Sequence, residues 1–164
     1  MLFRSIANLD VLTGVKNKHA YTDAESQMDA LIEAGEVTDY AVAVFDLNGL
    51  KEVNDTKGHQ AGDKFIITGC HLICNIFKHS PVFRVGGDEF VAIIQGEDYH
   101  NLTTLMKVLE KTNEEHIAEG KVVVAAGISR CHGDKKVSVV FKRADAAMYK
   151  NKKMLKEKEA AAKK

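Results

Sequence analysis

Two adjacent glycines between two apolar segments constrain the fold of this chain more than any other feature. Gly86 and Gly87 separate an apolar segment at 81–85 from a second one at 90–94. Such a pair between strand-like runs predicts a tight β-hairpin, because glycine adopts a positive φ angle without steric cost. The fold must therefore place two antiparallel strands side by side at this point.

Two carboxylates follow the glycines directly. Asp88 and Glu89 are expected at the tip of the hairpin, beside two residues that have no side chain. This arrangement leaves room for a metal ion and for phosphate groups. An ordinary hairpin with a solvated acidic tip has the same short pattern, so the motif needs support from other segments.

The composition indicates one globular domain. The chain has 164 residues, of which 45% are hydrophobic and 28% are charged, and these values allow a sizeable core. Lys and Arg together number 23, as do Asp and Glu, so the net charge favours neither nucleic acid nor a membrane surface as a partner. No apolar run is long enough to span a bilayer, and three cysteines without a leader segment favour reduced thiols. We therefore expect a cytoplasmic domain, which a larger membrane-anchored sensor protein can carry.

The spacing of apolar residues predicts an α+β fold. Strands are expected at 40–47 and 122–129, a short helix at 50–55, and longer helices at 17–35, 63–77, 102–118 and 138–154. The small number of strands and the tight hairpin argue against a doubly wound parallel sheet. A ferredoxin-like sandwich, with helices packed on a mainly antiparallel sheet, fits better. We expect a single domain over 1–164, with its core at about 10–153 and a frayed helical tail at 154–164.

An acidic residue ends the first predicted strand. Asp46 follows an otherwise apolar run and precedes the break at Asn48 and Gly49. A carboxylate in this position is costly unless something offsets its charge, and a hard cation does so well. If this strand neighbours the hairpin, Asp46 meets Asp88 and Glu89 in the layout that a pair of magnesium ions requires. The alternative is a local turn in which Asp46 pairs with Asn48.

Polar residues are dense between this strand and the next long helix. Lys51 can neutralise charge on a transferring phosphate. Asn54 and Asp63 offer an amide and a carboxylate, which together can satisfy the hydrogen-bonding edge of guanine. Each residue also has a structural interpretation: Asn54 as a turn residue, Asp63 as a helix N-cap and His59 as a loop contact.

In four blocks the sequence resembles GGDEF domains, the catalytic modules of diguanylate cyclases. The blocks are residues 10–20 (DVLTGVKNKHA), 45–63 (FDLNGLKEVNDTKGHQAGD), 84–90 (RVGGDEF) and 144–153 (ADAAMYKNKK). The second and third blocks are very specific together. The resemblance implies a palm-like α+β fold shared with nucleotidyl cyclases. It also implies the family's reaction, in which two GTP molecules condense to cyclic di-GMP with release of two pyrophosphates.

The resemblance further implies a role for each matching residue. The Mg²⁺ or Mn²⁺ ligands would be Asp46, the carbonyl of Leu47, and Asp88. Asp88 or Glu89 would help to deprotonate the attacking ribose hydroxyl, and Lys51 would stabilise the transition state. The substrate would be held by Asn54, His59 and Asp63 at the guanine, by the backbone at Gly86 and Gly87, and by Lys152 and Lys156 at the phosphates.

The sequence departs from the family pattern at several positions. Asn48 and Leu50 stand where many members have aspartate and phenylalanine, which should not abolish metal binding. Lys156 stands in place of an arginine and supplies a point charge but no bidentate clamp. The family's inhibitory product site needs an arginine and an aspartate, and the matching positions hold Phe77 and Ser80. We therefore expect no feedback inhibition through that site.

The reaction requires two copies of the domain. Each copy holds one GTP, and a single copy cannot present both 3′-hydroxyls to both α-phosphates. Turnover should therefore need a homodimer with the two sites face to face. We expect the isolated domain to be largely monomeric and weakly active, because no sensory or dimerisation module is apparent in the chain.

Three other interpretations remain. The first is a catalytically weak or inactive domain that binds GTP and regulates a partner; the presence of Asp46, Lys51, Asp88 and Glu89 argues against it. The second is a cyclase that uses ATP or mixed substrates, whereas Asp63 favours guanine. The third is a zinc site built from Cys70, His71, Cys74, Cys131 and His132. Cysteines four residues apart on an apolar helix are more typical of core packing.

Overall fold

The structure is a computed structural model, and it describes residues 7–164. Residues 1–6 of the predicted single domain lie outside the described residues. The helices are α1 (Lys18–Glu33), α2 (Leu50–Lys57), α3 (His59–Ile76), α4 (Gly96–His100), α5 (Leu102–Glu119) and α6 (Val137–Ala162). The strands are β1 (Ala41–Leu47), β2 (Val82–Arg84), β3 (Glu89–Ile94) and β4 (Val124–Arg130).

The four strands form one antiparallel sheet. Their order across the sheet is β2-β3-β1-β4, and each neighbouring pair runs antiparallel. β2 and β3 form the predicted hairpin, and β3 pairs next with β1. In that pairing Phe45 lies opposite Phe90, and Asp46 lies opposite Glu89. The expected α+β fold with helices on an antiparallel sheet is confirmed.

Helices cover both faces of the sheet, and β1 is buried throughout. Alternate residues of a strand point to opposite faces. Phe45 and its odd-numbered neighbours on β1 pack with residues of α3 and α5, whereas Val44 and its even-numbered neighbours pack with α1 and α6. Asp46 continues the even-numbered series, and its carboxylate therefore lies on the face that α6 covers.

Gly127 on β4 allows α6 to approach the sheet closely. A Cβ atom at this position would lie 2.1 Å from the carbonyl oxygen of Ala144 and 2.1 Å from the amide nitrogen of Met148. Any larger residue would push the helix backbone away. This close contact brings the following turn of α6, which carries Lys152, to the end of β1.

The observed helices differ most from the predicted ones at three places. α3 begins at His59 rather than residue 63, because Gly58 adopts a φ angle of 86° and separates it from α2. α4 has five residues and no apolar repeat, so the spacing of apolar residues did not predict it. α6 continues to Ala162, and Leu155, within the segment expected to fray, is only 4% exposed.

The cysteines do not form a metal site. Cys70 is 1% exposed and packs in the core beside α3's other apolar residues. Within residues 7–164, no three Asp, Glu, His or Cys side chains are grouped to hold an ion.

Over the same residues, no helix has both the length and the apolar composition that crossing a bilayer requires.

Candidate active site

The β2–β3 hairpin does not need its glycines for backbone conformation. Neither Gly86 nor Gly87 has a positive φ angle, so the predicted reason for the glycine pair is wrong. A Cβ atom at Gly87 would meet no atom within 4 Å, and one at Gly86 would approach only the side chain of Glu89. The missing side chain at Gly87 therefore keeps open a space beside the carboxylates.

Arg84 holds the hairpin turn in place. Its Nε and Nη2 atoms donate hydrogen bonds of 3.2 Å and 2.8 Å to the carbonyl oxygen of Gly87. Its Nη1 atom lies 3.2 Å from both carboxylate oxygens of Asp10. Burial alone would raise the pKa of Asp10, but hydrogen bonds from Thr13 and the charge of Arg84 lower it. The turn conformation thus depends on a side chain rather than on glycine.

Asp46 lies beside the hairpin tip, as the strand pairing requires. The amide of Leu47 donates a 3.0 Å hydrogen bond to the carbonyl oxygen of Asp88, which joins the end of β1 to the turn. Asp46 is 7% exposed, and its Oδ2 atom lies 3.2 Å from Nζ of Lys152. Its Oδ1 atom is buried and has no hydrogen-bond partner. The carboxylate therefore keeps one desolvated oxygen available.

The acidic groups at this point are electrostatically unsatisfied. Burial raises the pKa of Asp46, and the negative charge of Asp88 raises it further. Lys152 and, more weakly, Lys156 act in the opposite direction without reversing the shift. Each ionised carboxylate here is thus held near another one in a poorly solvated position.

Glu89 shares this environment. Burial raises its pKa first, and the charges of Asp145, Asp46 and Asp88 add to the effect. Asp145 lies on α6, two helical turns before Lys152. A cation placed among these groups would lower the free energy of their ionised forms.

The residues at the end of β1 fit a hard divalent cation. Oxygen ligands from carboxylates and backbone carbonyls suit Mg²⁺, which usually keeps several positions for water or phosphate oxygens. The unpaired Oδ1 atom of Asp46 is a suitable ligand. Because no complete group of three ligand side chains exists within residues 7–164, the carbonyl of Leu47 and substrate phosphates would have to complete the coordination.

The residues expected at guanine occupy a separate part of the site, on α2 and α3. Lys51 and Asn54 lie on α2, and His59 and Asp63 lie on the first turns of α3. Asn54 is half-buried, whereas the other three are exposed. The structure thus places one polar group on α2 and α3 and a second group, with Asp46, Asp88, Glu89, Lys152 and Lys156, at the sheet end.

Comparison with known families identifies the chain. The family model described as diguanylate cyclase, GGDEF domain, matches residues 7–158. The chain belongs to the GGDEF family. Diguanylate cyclase DgcZ of Escherichia coli K12 is 28% identical over 152 residues, which cover 89% of this GGDEF domain and 50% of that protein. The bifunctional diguanylate cyclase/cyclic di-GMP phosphodiesterase MucR of Pseudomonas aeruginosa is 35% identical over 116 residues, which cover 67% and 17%. This GGDEF domain spans half or less of the length of these relatives.

Solved structures agree with the fold of this GGDEF domain. The GGDEF domain of DgcB from Caulobacter crescentus, in complex with c-di-GMP, has a TM-score of 0.73 at 27% identity and covers 90% of this chain and 91% of that chain. A microbial GGDEF domain described in a novel interaction mode with cyclic di-GMP has a TM-score of 0.69 at 28% identity and covers 92% and 93%. The palm-like α+β architecture expected from the sequence is confirmed.

The two positions that we expected to match the family's product site have structural contacts in this GGDEF domain. Phe77 is 1% exposed, and its ring lies 5.4 Å from that of Phe45 in the core. The hydroxyl of Ser80 donates a 2.6 Å hydrogen bond to Asp98, which also accepts from the amide of His79. Both side chains thus contribute to the join between α3 and β2.

Three contacts of this GGDEF domain were not predicted from the sequence. They are the hydrogen bonds of Arg84 to the turn, the proximity of Asp145 to Glu89, and a 3.0 Å hydrogen bond from Nδ2 of Asn48 to Glu159. Helical spacing would have revealed the second. Asp145, Lys152 and Lys156 are seven and four residues apart, so they share one face of a helix.

Proposed function

We propose that this GGDEF domain condenses two GTP molecules into cyclic di-GMP and releases two pyrophosphates. The observation that carries the proposal is the position of Asp46 next to Asp88 and Glu89, with one desolvated carboxylate oxygen unpaired. Structural ion-pair sites normally satisfy such an atom. A buried acceptor among like charges supports binding of a cation and its phosphate ligands.

Three groups would hold a divalent ion, Mg²⁺ or Mn²⁺. They are the carboxylates of Asp46 and Asp88 and the backbone carbonyl of Leu47. When bound, the ion would neutralise charge on the triphosphate and favour ionisation of the attacking hydroxyl. The open space at Gly87 and Gly86 would let the phosphates approach the backbone of the turn.

The positive residues would act on the phosphates. Lys152, already 3.2 Å from Asp46, and Lys156 on the next turn of α6 would contact the triphosphate. Lys51 on α2 would stabilise the charge that develops on the phosphoryl group in the transition state. The phosphate contact of Lys156 would be a single point charge.

The base would be bound between α2 and α3. The amide of Asn54 and the carboxylate of Asp63 would pair with the edge of guanine, and His59 would line the same space. A site built for guanine leaves its polar groups unpaired when adenine is bound, which is a strong source of selectivity. GTP rather than ATP is therefore the proposed substrate.

The chemical step is an in-line displacement. Asp88 or Glu89 would accept the proton of a ribose 3′-hydroxyl, whose oxygen then forms a bond to the α-phosphorus of the second GTP. The bond from that phosphorus to the bridging β-phosphate oxygen breaks, and pyrophosphate leaves. A second, equivalent step closes the ring. Since each domain supplies one GTP, two domains must face each other.

A product assay tests this function. We expect incubation with GTP and Mg²⁺ to yield cyclic di-GMP and pyrophosphate in a ratio of one to two, with a rate that rises faster than linearly with protein concentration. Omission of the divalent ion should abolish both products. GTP binding without either product would contradict the proposal and favour a regulatory GTP-binding domain.

We also infer that cyclic di-GMP does not inhibit this domain through the family's product site. Phe77 is a core residue and Ser80 is bonded to Asp98, so neither offers the charge that the product would need. Progress curves with added cyclic di-GMP should show steady turnover. Inhibition that the substitution Ser80→Ala abolishes would contradict this inference.

A further inference from the structure

Gly62 on α3 lies directly against the side chain of Asn54 on α2. A Cβ atom at Gly62 would be 1.7 Å from Oδ1 and 2.9 Å from Cγ of Asn54. No side chain larger than hydrogen fits at this position while Asn54 keeps its orientation. Gly62 is buried, and its φ angle is not positive, so the backbone conformation itself does not require glycine.

Glycine is an unfavourable residue at this point in the helix. Gly62 is the fourth residue of an 18-residue helix, where alanine would form helix more readily. The loss of helix propensity therefore needs a compensating contact. In the structure, the absence of a side chain at Gly62 leaves the space that the Asn54 amide occupies, and this contact offsets the lost helix propensity.

We propose that Gly62 is a positioning residue for base selection: its missing side chain leaves the space in which the Asn54 amide adopts the orientation that distinguishes guanine from adenine. The inference rests on the proposed function, in which Asn54 contacts the base. Gly62 itself makes no contact with the nucleotide. Its effect on the reaction passes through Asn54.

A second glycine on the same helix provides a contrast. A Cβ atom at Gly69 would be 2.5 Å and 2.7 Å from the two terminal methyl groups of Leu47. Leu47 is 1% exposed and cannot move without disturbing the core. Asn54 is half-buried, and the atom that a new Cβ would meet is the end of its side chain. Gly69→Ala should therefore destabilise the fold, whereas Gly62→Ala should mainly reorient Asn54.

The experiment is a double-mutant cycle with Gly62→Ala, Asn54→Ala and the combined variant. Calorimetry measures the dissociation constants of a nonhydrolysable GTP analogue and the matching ATP analogue, and thermal unfolding measures Tm. Thr68→Ala, at an exposed position on α3, is the control for substitution within this helix. The ratio of the two dissociation constants is a measure of base selectivity that a purely structural role would not change.

We expect Gly62→Ala to keep or raise Tm and to weaken GTP-analogue binding by about tenfold, with a smaller effect on the ATP analogue. In the Asn54→Ala background the same substitution should cause no further loss, because the clash is gone. Thr68→Ala should leave both constants unchanged.

Three outcomes would overturn the inference, and the first two distinguish its failure from that of the proposed function. If Asn54→Ala weakens GTP-analogue binding but Gly62→Ala does not, Gly62 has no positioning role and the proposed function stands. If Asn54→Ala leaves base selectivity unchanged, the assignment of Asn54 to guanine in the proposed function fails, and the role of Gly62 fails with it. Equal losses from Gly62→Ala in both backgrounds would also overturn it.

Discussion

The Nζ atom of Lys152 lies 3.2 Å from Oδ2 of Asp46, and the two side chains are only 27% and 11% exposed. This ion pair joins α6 to the end of β1 at the acidic hairpin. It places a positive charge where the proposed triphosphate would lie, next to a proposed ligand of the metal ion. Lys152 can thus pair with the carboxylate of Asp46 and contact a phosphate of the proposed substrate.

Substitution of Lys152 tests this double role. Lys152→Met leaves Asp46 buried without its partner, and we expect a loss of about 1–2 kcal/mol in the free energy of unfolding. The KM for GTP should rise about tenfold, because a charge-assisted phosphate contact is lost. Urea unfolding and steady-state kinetics measure the two effects. Lys150→Met, at an exposed position on α6, is the control. If the two variants have the same free energy of unfolding and the same KM for GTP, Lys152 does not have this double role.

The proposed metal binding should depend most on Asp46. Asp46→Asn keeps the shape of the side chain but removes its charge. We expect turnover to fall at least about a hundredfold and the increase in Tm caused by Mg²⁺ to disappear. Asp39→Asn, an exposed aspartate before β1, should change neither. If Mg²⁺ raises the Tm of Asp46→Asn as much as it raises the Tm of the unsubstituted domain, the ion binds elsewhere.

The acidic cluster also predicts how stability depends on pH. Burial and Asp88 raise the pKa of Asp46, and burial and Asp145 raise that of Glu89. Because the pKa values of these two carboxyls are raised in the folded state, their contribution to stability is fully present below the ordinary carboxyl pKa. It is lost as the pH rises through the raised pKa values of the folded state. The proposed ligands of Mg²⁺ are the ionised carboxylates, so the stabilising effect of Mg²⁺ should grow over the same pH range. We therefore expect a larger Mg²⁺-dependent Tm increase at about pH 8 than at about pH 5. A pH-independent increase would contradict this.

Gly87 should be dispensable for folding but not for turnover. A Cβ atom there meets nothing within 4 Å, and the φ angle is not positive. Gly87→Ala should change the free energy of unfolding by less than about 0.5 kcal/mol and should lower turnover at least about tenfold by filling the phosphate space. Gly14→Ala is the contrasting variant, because Gly14 has a φ angle of 78°. This substitution should lower the free energy of unfolding by about 1 kcal/mol. Full turnover in Gly87→Ala would show that the phosphates do not approach the backbone at this turn.

Much of the fold could be predicted from the sequence because its signals are local. The apolar run that ends at Asp46 and the apolar segments around Gly86 define β1 and the hairpin. The pairing of β1 with β3 then brings Asp46 opposite Glu89. The reason for the two glycines could not be predicted, because the turn is held by Arg84 from outside the glycine pair.

The parts that were missed depend on tertiary contacts. The end of α6 looks like a solvated segment by composition, yet Leu155 is buried and Glu159 accepts a hydrogen bond from Asn48. The close approach of Asn54 to Gly62 arises between two helices and leaves no periodic signal. Charge coupling between Asp145 and Glu89 likewise depends on how α6 lies against the sheet, which Gly127 controls.

The position of the divalent ion decides whether the acidic residues at the end of β1 form the proposed site. A crystal structure with Mn²⁺ and a nonhydrolysable GTP analogue, recorded with anomalous scattering, gives the position of the metal independently of the polypeptide. We expect a peak bound by Asp46, the carbonyl of Leu47 and Asp88, with the triphosphate beside Gly87. A peak away from Asp46, or a triphosphate bound without an ion at the hairpin, would contradict this expectation.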